Sequence, residues 1–284
     1  MARAVRKQYT KRLRFFQNKV TLICFVLLFI IIISTIFAPL IAPYEFDSTD
    51  LLARKSPPSA KHWLGTDSVG RDIFTRLLYG GRVSLLVGLC TMTLQIVLGS
   101  LLGTLAGYCG GLTDRFLSSR ADAILCFPFF LLAMSMVTIL GSGIYNIVLI
   151  IGLLMWPKLF RLIRTQVQSL KDNDYITAGR AMGLSTWEIL KLHLIPNVIP
   201  TMTVAATLAL AQGIILEAAL SFLSLGVQPP MASWGNMLAE ANNVSTLSTY
   251  WWMWLPPGVA VTITVICINY IGEGLRRAYD PKAI

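Results

Sequence analysis

Residues 20–44 read VTLICFVLLFIIIISTIFAPLIAPY, a stretch of 25 residues without a single Asp, Glu, Lys or Arg. A helix needs about 20 apolar residues to cross a hydrocarbon core about 30 Å thick, so this stretch is long enough to span a membrane. Further uncharged stretches follow at 83–113, 123–157, 194–216, 218–239 and 241–272. This spacing predicts an all-α membrane protein with about six transmembrane helices.

The composition of the whole chain agrees with that prediction. Of its 284 residues, 55% are hydrophobic and 13% are charged, whereas about a quarter of the residues of a soluble domain are charged. The first apolar stretch is longer than the 7–15 residues typical of a secretory signal, so it reads as a retained anchor. The predicted spans lie near 20–42, 83–107, 121–141, 144–163, 200–225 and 253–274.

The distribution of basic residues predicts how the chain sits in the membrane. Seven Lys and Arg residues precede the first span, and such residues accumulate on cytoplasmic flanks. With both termini in the cytoplasm, the predicted inner segments hold 18 basic residues and the outer loops six. The net charge of +10 is therefore explained by membrane orientation, and we expect no nucleic-acid partner.

These spans divide the chain into five segments. A basic cytoplasmic tail, 1–19, precedes the first anchor, 20–42, and an external loop follows at 43–82. In that loop Ile73, Leu77 and Leu78 fall on one side of a short helix, which we expect to lie on the membrane surface. A five-span core with a cytoplasmic loop at 165–199 occupies 83–276, and a cytoplasmic tail, 277–284, ends the chain.

Small residues mark one predicted packing surface. Gly99, Gly103 and Gly107 recur every fourth residue and share one helical face. Glycines on one face let another helix backbone approach closely within lipid. The partner helix could belong to this chain or to another.

The segment 171–200 reads as a helical hairpin between the fourth and fifth spans. Asp172 or Asp174 can cap a first helix that begins near Tyr175, and Gly183 can end it in the left-handed conformation. Ser185-Thr186-Trp187-Glu188 is a capping box for a second helix, which should break before Pro196. From the residues alone, the hairpin could transmit force from a soluble partner or could be a packed connector.

Four motifs carry a resemblance to a known family. The first is Asp174 to Gly183 with Ile195-Pro196-Asn197, and the second is His62 to Asp67 with Gly70-Arg71-Asp72. The third is Glu217 to Leu223 with Leu225 to Pro230 and Ser233-Trp234-Gly235, and the fourth is Asn269 to Arg276 with Asp280-Pro281. Together they resemble the permeases of binding-protein-dependent ABC importers, in the subfamily for dipeptides, oligopeptides and nickel. The long first external loop is similar to that of the second of the two paired permeases.

The resemblance implies a multi-subunit importer in the bacterial plasma or inner membrane. Its partners would be a similar paired permease, two ATPase subunits that bind ATP and Mg, and an extracytoplasmic binding protein. This multi-pass chain would be no enzyme and would hold no cofactor, which agrees with the lack of a Gly-x-x-x-x-Gly-Lys-Ser/Thr motif. The family's Glu-Ala-Ala falls on Thr177-Ala178-Gly179, where only the middle residue matches. The resemblance places the contact with the ATPase on Tyr175, Thr177, Ala178, Gly179, Arg180, Ala181, Gly183 and Pro196.

Polar residues suggest two further candidate sites. Glu217 lies inside a predicted span with Gln212 nearby and Asn269 in the next span, and these could line a path or gate or bond helices together. Arg71, Asp72 and Arg76 could contact the binding protein or form a solvated loop face. The five cysteines and two histidines form no ligand cluster, so we expect no metal site.

The cargo and the transport class leave alternatives. Di- and oligopeptides are the expected cargo, with nickel or a metal chelate as the second candidate. A stand-alone secondary transporter or channel is the alternative class, although such proteins often show internal repeats and charges at the membrane midplane. An intramembrane protease is not supported, because the sequence has no Gly-x-Ser-x-Gly or His-Glu-x-x-His motif.

Overall fold

The structure is a computed structural model that describes residues 18–242 and 244–279. Most of the basic tail and the Asp280-Pro281 ending therefore lie outside the described residues. Within the described ranges the chain is built from helices and loops. The α-helices are α1 (Lys19–Ile36), α2 (Ala38–Ile41), α3 (Ile73–Cys109), α4 (Gly111–Cys126), α5 (Phe129–Leu140), α6 (Ile144–Lys171), α7 (Asp174–Ala181), α8 (Thr186–Ile189), α9 (Ile195–Phe222), α10 (Trp234–Leu238), α11 (Val244–Thr249) and α12 (Trp251–Tyr279).

The expected all-α membrane fold is confirmed. Five helical segments are long and apolar enough to cross a membrane, and a bent pair raises the number to six if it counts as one span. The five are α1, α3, α6, α12 and the continuous segment that runs through α8 and α9. The orientation of the termini stays a prediction.

The third predicted span is the bent pair rather than one straight helix. Helices α4 and α5 meet at an angle of 91°. Between them, Phe127 is extended, with φ −95° and ψ 142°, because Pro128 disfavours the helical conformation in the residue before it. The predicted boundaries 121–141 therefore include only the last turns of α4.

The predicted surface helix in the external loop was wrong. Asp72 accepts a hydrogen bond from the Thr75 backbone N–H at 2.8 Å and so caps α3. Helix α3 thus begins at Ile73, about ten residues before the predicted start of the span. Ile73 and Leu78 are buried, and Ile73 packs with Met237, Trp252 and Met253. The apolar side of this segment faces protein and not lipid.

Helices α3 and α6 form the centre of the bundle, and α1 lies at its edge. In the most apolar 18-residue stretch of each helix, 61% of α6 is buried, whereas 17% of α1 is buried. The end of α1 is held by Arg82 of α3, whose Nε donates to Thr35 O at 2.7 Å and whose Nη2 donates to Ile36 O at 2.6 Å. A cation at the C-terminal end of a helix donates hydrogen bonds to the free carbonyl groups there and interacts favourably with the helix dipole.

The bundle has two distinct ends. We call the end that carries residues 172–194 the hairpin end. The opposite end, where segments 42–72 and 223–250 meet, is the loop end. At the loop end, the Arg76 guanidinium donates to Phe46 O at 3.3 Å and to Pro230 O at 3.4 Å, which ties the two segments together.

Candidate functional site

The predicted hairpin is present, and its turn has the expected geometry. Helix α7 ends at Ala181, and Gly183 takes a left-handed φ of +84°. The Leu184 N–H donates to Gly179 O at 3.1 Å and the Gly183 N–H donates to Arg180 O at 3.0 Å. This pair of bonds is a Schellman motif, which satisfies the last carbonyls of α7.

The start of each hairpin helix is only partly as predicted. The capping box of the second helix is confirmed: the Ser185 N–H donates to Glu188 Oε2 at 2.8 Å, and the Ser185 side chain accepts from the Glu188 N–H at 3.3 Å. The first helix has Asn173 at its N-cap position, and no side-chain bond caps it there. The proposed capping by Asp172 or Asp174 was therefore wrong, since Asp174 lies inside the first turn.

The second hairpin helix does not break before Pro196, which corrects that prediction. Thr186–Phe222 is one continuous helical segment of 37 residues. A π-helical turn, Leu190–Leu194, joins α8 to α9. A wider turn of this kind absorbs an irregularity without ending the helix.

One side of the hairpin is anchored on the bundle. Ile176, Ile189 and Leu194 are each at most 1% exposed. They pack in one cluster with Ile163 and Val167 of α6. Burying such side chains contributes roughly 1.5–3 kcal/mol each, so the hairpin is fastened firmly to α6.

The other side of the hairpin is exposed and carries large apolar side chains among polar ones such as Asp174 and Arg180. Tyr175 is 42% exposed, Trp187 67% and Met182 77%. Large apolar side chains exposed on one short hairpin suit contact with another protein or with the membrane. Trp187 also lines a groove with Leu101 and Leu105 of α3. Of the predicted contact residues, Thr177, Ala178, Arg180, Ala181, Gly183 and Pro196 are exposed. Gly179 is buried, and a β-carbon there would lie 3.1 Å from Leu184 Cδ1.

The three glycines of α3 face α6 of the same chain. A β-carbon at Gly99 would lie 2.7 Å from Leu159 Cβ. At Gly103 it would lie 2.8 Å from Phe160 O, and at Gly107 it would lie 2.8 Å from Arg164 O. The two backbones thus approach more closely than any larger residue would allow.

Glu217 is a buried crosslink. Its side chain has no exposed surface, and Oε2 accepts from Ser84 Oγ at 2.8 Å while Oε1 accepts from Ser221 Oγ at 2.8 Å. Ser84 Oγ also accepts from the Trp234 N–H at 3.1 Å. The carboxylate therefore joins α9 to α3 and, through Ser84, to α10.

The other two residues of the predicted path stand apart from this network. Gln212 is half-buried on α9, one helical turn and a half before Glu217, and Asn269 is exposed on α12. The structure does not gather the three into one polar cluster. Ser221 could have been found from the sequence, because it lies four residues after Glu217 on a helix. Ser84 could not, since it precedes Glu217 by 133 residues.

Arg71, Asp72 and Arg76 do not form a solvated loop face, and their contact with the binding protein stays a prediction. Asp72 is 5% exposed and Arg76 is 3% exposed. Asp72 Oδ1 lies 2.9 Å from His62 Nδ1, and Arg71 Nε lies 2.6 Å from Asp67 Oδ2. These side chains hold the first loop on the bundle.

Comparisons with known proteins match this chain to a family. Residues 99–284 match the family described as "Binding-protein-dependent transport system inner membrane component", and residues 9–58 match "N-terminal TM domain of oligopeptide transport permease C". A protein of Brucella suis named as a peptide permease is 42% identical over 270 residues, which cover 95% of this chain and 89% of the relative. The dipeptide transport system permease protein DppC of Alkalihalophilus pseudofirmus is 39% identical over 266 residues, with 94% and 87% covered.

A solved structure shows the same fold. The inward-facing MetNI methionine ABC transporter contains a chain that aligns with a TM-score of 0.59 at 21% identity. The alignment covers 72% of this chain and 95% of that one.

Proposed function

Since the chain belongs to the family of binding-protein-dependent transport system inner membrane components, we propose that it and a paired permease form the path of an ATP-driven importer of di- and oligopeptides. The peptide cargo is supported by the names of two relatives, a peptide permease and a dipeptide permease. Two ATPase subunits bind ATP and Mg, and an extracytoplasmic binding protein delivers the peptide. The permease chain itself carries out no chemistry.

The hairpin is the element that couples this chain to the ATPase. The observation that carries this assignment is the exposure of Tyr175, Met182 and Trp187 on a hairpin that is anchored on the bundle by buried side chains. A surface that is apolar outside and anchored inside can receive a partner and pass its displacement on. If the hairpin contacts the ATPase, the hairpin end faces the cytoplasm and the loop end faces outward.

The continuous segment Thr186–Phe222 carries the displacement through the membrane. Its 37 residues correspond to about 55 Å at 1.5 Å per residue. At its far end, Glu217 is bonded to Ser84 of α3, and Ser84 is bonded to α10. A movement of the hairpin therefore reaches the loop end through one continuous helical segment.

A single charge on the hairpin tests the coupling assignment. Met182→Glu places a carboxylate on the exposed apolar surface, and Met182 has an ordinary backbone with φ −79°. Gly183→Glu would add backbone strain to the charge, because Gly183 has φ +84°. We expect Met182→Glu to lose co-purifying ATPase subunits and ATP-driven uptake while the chain stays folded.

Met231→Glu is the matched control, since Met231 is 43% exposed at the loop end. The control variant should keep the ATPase subunits. Normal co-purification and uptake by the Met182→Glu transporter would refute the coupling role.

Cargo is tested by uptake into cells with and without the gene. Labelled di- and oligopeptides are compared with labelled nickel, and wild type is compared with Met182→Glu for rescue. Peptide uptake that depends on the gene supports the proposal. Loss of nickel uptake alone would replace peptide with metal as the cargo.

A further inference from the structure

A cavity of about 720 Å³ opens at the loop end, away from the hairpin. Its wall comes from the end of α9, from the segment 227–229 and from α10, with Lys55 and Ser68 of the first loop. Further wall residues are Ala239, Glu240, Asn242, Val244 and Thr246. Ligand pockets of about 300–1,000 Å³ hold small organic molecules, so this volume suits a peptide of two or three residues.

The cavity carries one positive and one negative side chain. Lys55 Nζ lies 5.0 Å from the centre of the Tyr250 ring, a cation–π contact that leaves an ammonium with hydrogen-bond donors for a second partner. Glu240 Oε1 accepts from Ser68 Oγ at 2.9 Å, and a carboxylate has acceptor sites beyond that one bond. The nearby Arg71 and Arg76 pair with Asp67.

Amide side chains add hydrogen-bond acceptors to the lining of the same cavity. Asn242 Nδ2 donates to Phe222 O at 3.0 Å, and Gln228 Nε2 donates to Ser224 O at 2.8 Å. In both residues the nitrogen is the atom engaged by the protein, and the amide oxygen can accept up to two hydrogen bonds. Such oxygens can meet the N–H groups of a peptide backbone.

Backbone strain is concentrated on the same wall. Among residues 18–242 and 244–279, the non-glycine residues with positive φ are Lys55, at 52°, and Ser224, at 61°. Both line the cavity. Strained residues of this kind cluster at ligand clamps, where surrounding structure holds them in place.

We propose that this cavity is an outward-facing subsite for a short zwitterionic peptide, in which Glu240 binds the α-ammonium group and Lys55 binds the α-carboxylate. The proposal rests on the proposed peptide cargo and adds where this chain first receives it. Contacts with the two charged termini and the backbone are common to all short peptides. The subsite would therefore accept many side chains while rejecting molecules that lack either terminal charge.

Protection from thiol labelling tests the subsite without the binding protein. The assembled transporter is studied in right-side-out membrane vesicles, and Ser224→Cys gives a near-isosteric thiol on the cavity wall. An impermeant maleimide labels it with and without the dipeptide Ala-Ala. At about twice the dissociation constant, mass action predicts labelling that is about threefold slower. The doubly capped N-acetyl-Ala-Ala-amide should give no protection.

Charge removal and a distant thiol complete the experiment. In the Ser224→Cys background, Glu240→Gln or Lys55→Gln should abolish protection, whereas Glu45→Gln and Lys61→Gln outside the cavity should retain it. Ser48→Cys, exposed on the first loop, should label equally with and without peptide. Each measurement is made without nucleotide and with trapped ATP.

The outcomes separate this inference from the proposed cargo. Absence of protection in both nucleotide states, or equal protection by the capped peptide, overturns the subsite. Uptake of labelled peptide by cells that carry Ser224→Cys is measured in parallel. Gene-dependent uptake without protection leaves the peptide cargo standing and removes the subsite, whereas absence of gene-dependent peptide uptake in the wild type removes the cargo itself.

Discussion

Replacing Gly103 by alanine should destabilise the bundle, although alanine normally favours a helix. The added β-carbon would lie 2.8 Å from Phe160 O, 3.0 Å from Ile163 Cβ and 3.2 Å from Arg164 N. Two of these atoms belong to the backbone of α6, which cannot turn aside as the end of a side chain can. Helices α3 and α6 must therefore move apart at their closest approach.

The size of the effect follows from two opposing contributions. Ala in a helix interior is favoured over Gly by about 1 kcal/mol. Overpacking in a filled core costs typically about 1–3 kcal/mol, and the central position of this contact favours the upper part of that range. Gly258 of α12 provides the matched control, because a β-carbon there would lie 3.5 Å from Leu238 Cδ2, an ordinary van der Waals distance. Only the helix preference acts at the control position.

Thermal unfolding of the detergent-solubilised transporter measures the difference. Gly103→Ala should melt below wild type, and Gly258→Ala should melt at or above it. The two variants should differ by about 1–3 kcal/mol, or roughly 3–10 °C for a chain of this size. If Gly103→Ala melted at or above the Gly258→Ala transporter, the close packing of α3 on α6 would be refuted.

Three further predictions concern the loop end and the buried carboxylate. Asp72→Ala should lower the unfolding free energy by about 2 kcal/mol or more, because it removes the α3 cap and the partner of His62. Asp47 is exposed, so Asp47→Ala should leave the stability unchanged. An unchanged melting temperature for Asp72→Ala would contradict the prediction. Glu217→Ala should destabilise the chain by about 1–3 kcal/mol, because the Ser84 and Ser221 hydroxyls lose their acceptor, and Glu217→Gln should destabilise it less. If Glu217→Ala kept normal stability but lost uptake, Glu217 would instead be a residue of the transport path. Burial raises the pKa of Glu240 above its ordinary value of 4.5. The folded protein therefore holds the Glu240 proton more tightly than the unfolded chain does, and the stability gained from this is fully present below about pH 4.5 and is lost as the pH rises through the raised pKa. The melting temperature should therefore depend less on pH in Glu240→Gln than in wild type. Parallel plots of melting temperature against pH for the two proteins would contradict this prediction.

Features set by neighbours in sequence could be predicted from sequence. The turn at Gly183 and the capping box of Ser185 and Glu188 involve residues at most a few positions apart, so their chemistry fixes their geometry. The apolar spans were predictable for a similar reason, because length and hydropathy suffice to identify them. The bend between α4 and α5 was also signalled, by Pro128, but the uncharged stretch around it concealed the break.

Features set by distant residues could not be predicted. Arg76 reads as a loop cation, yet Phe46 O and Pro230 O bind its guanidinium from segments 30 and 154 residues away. Those contacts are not visible in the sequence around Arg76, so the sequence gives no reason to expect a buried arginine there. The same limit applies to Glu217, whose partner Ser84 lies in a different helix. Arg76 thus joins distant segments instead of forming a loop face, and Glu217 takes the helix-bonding alternative with a partner that the sequence could not identify.

The continuity of the helix through Pro196 shows how a breaker can be accommodated and why this matters for coupling. Proline lacks the N–H that the carbonyl one turn earlier requires. The π-helical turn Leu190–Leu194 already shifts the bonding register at this point, with the Ile195 N–H donating to Leu190 O. Asn197 then donates from Nδ2 to His193 O at 2.6 Å, so a side chain also serves a carbonyl of the disturbed turn. Neither of these two bonds reaches Leu192 O, the carbonyl that Pro196 leaves without its usual donor, yet Thr186–Phe222 remains one continuous helical segment. A joint at Pro196 would instead let the hairpin move without the helix, and the coupling proposed above would then fail.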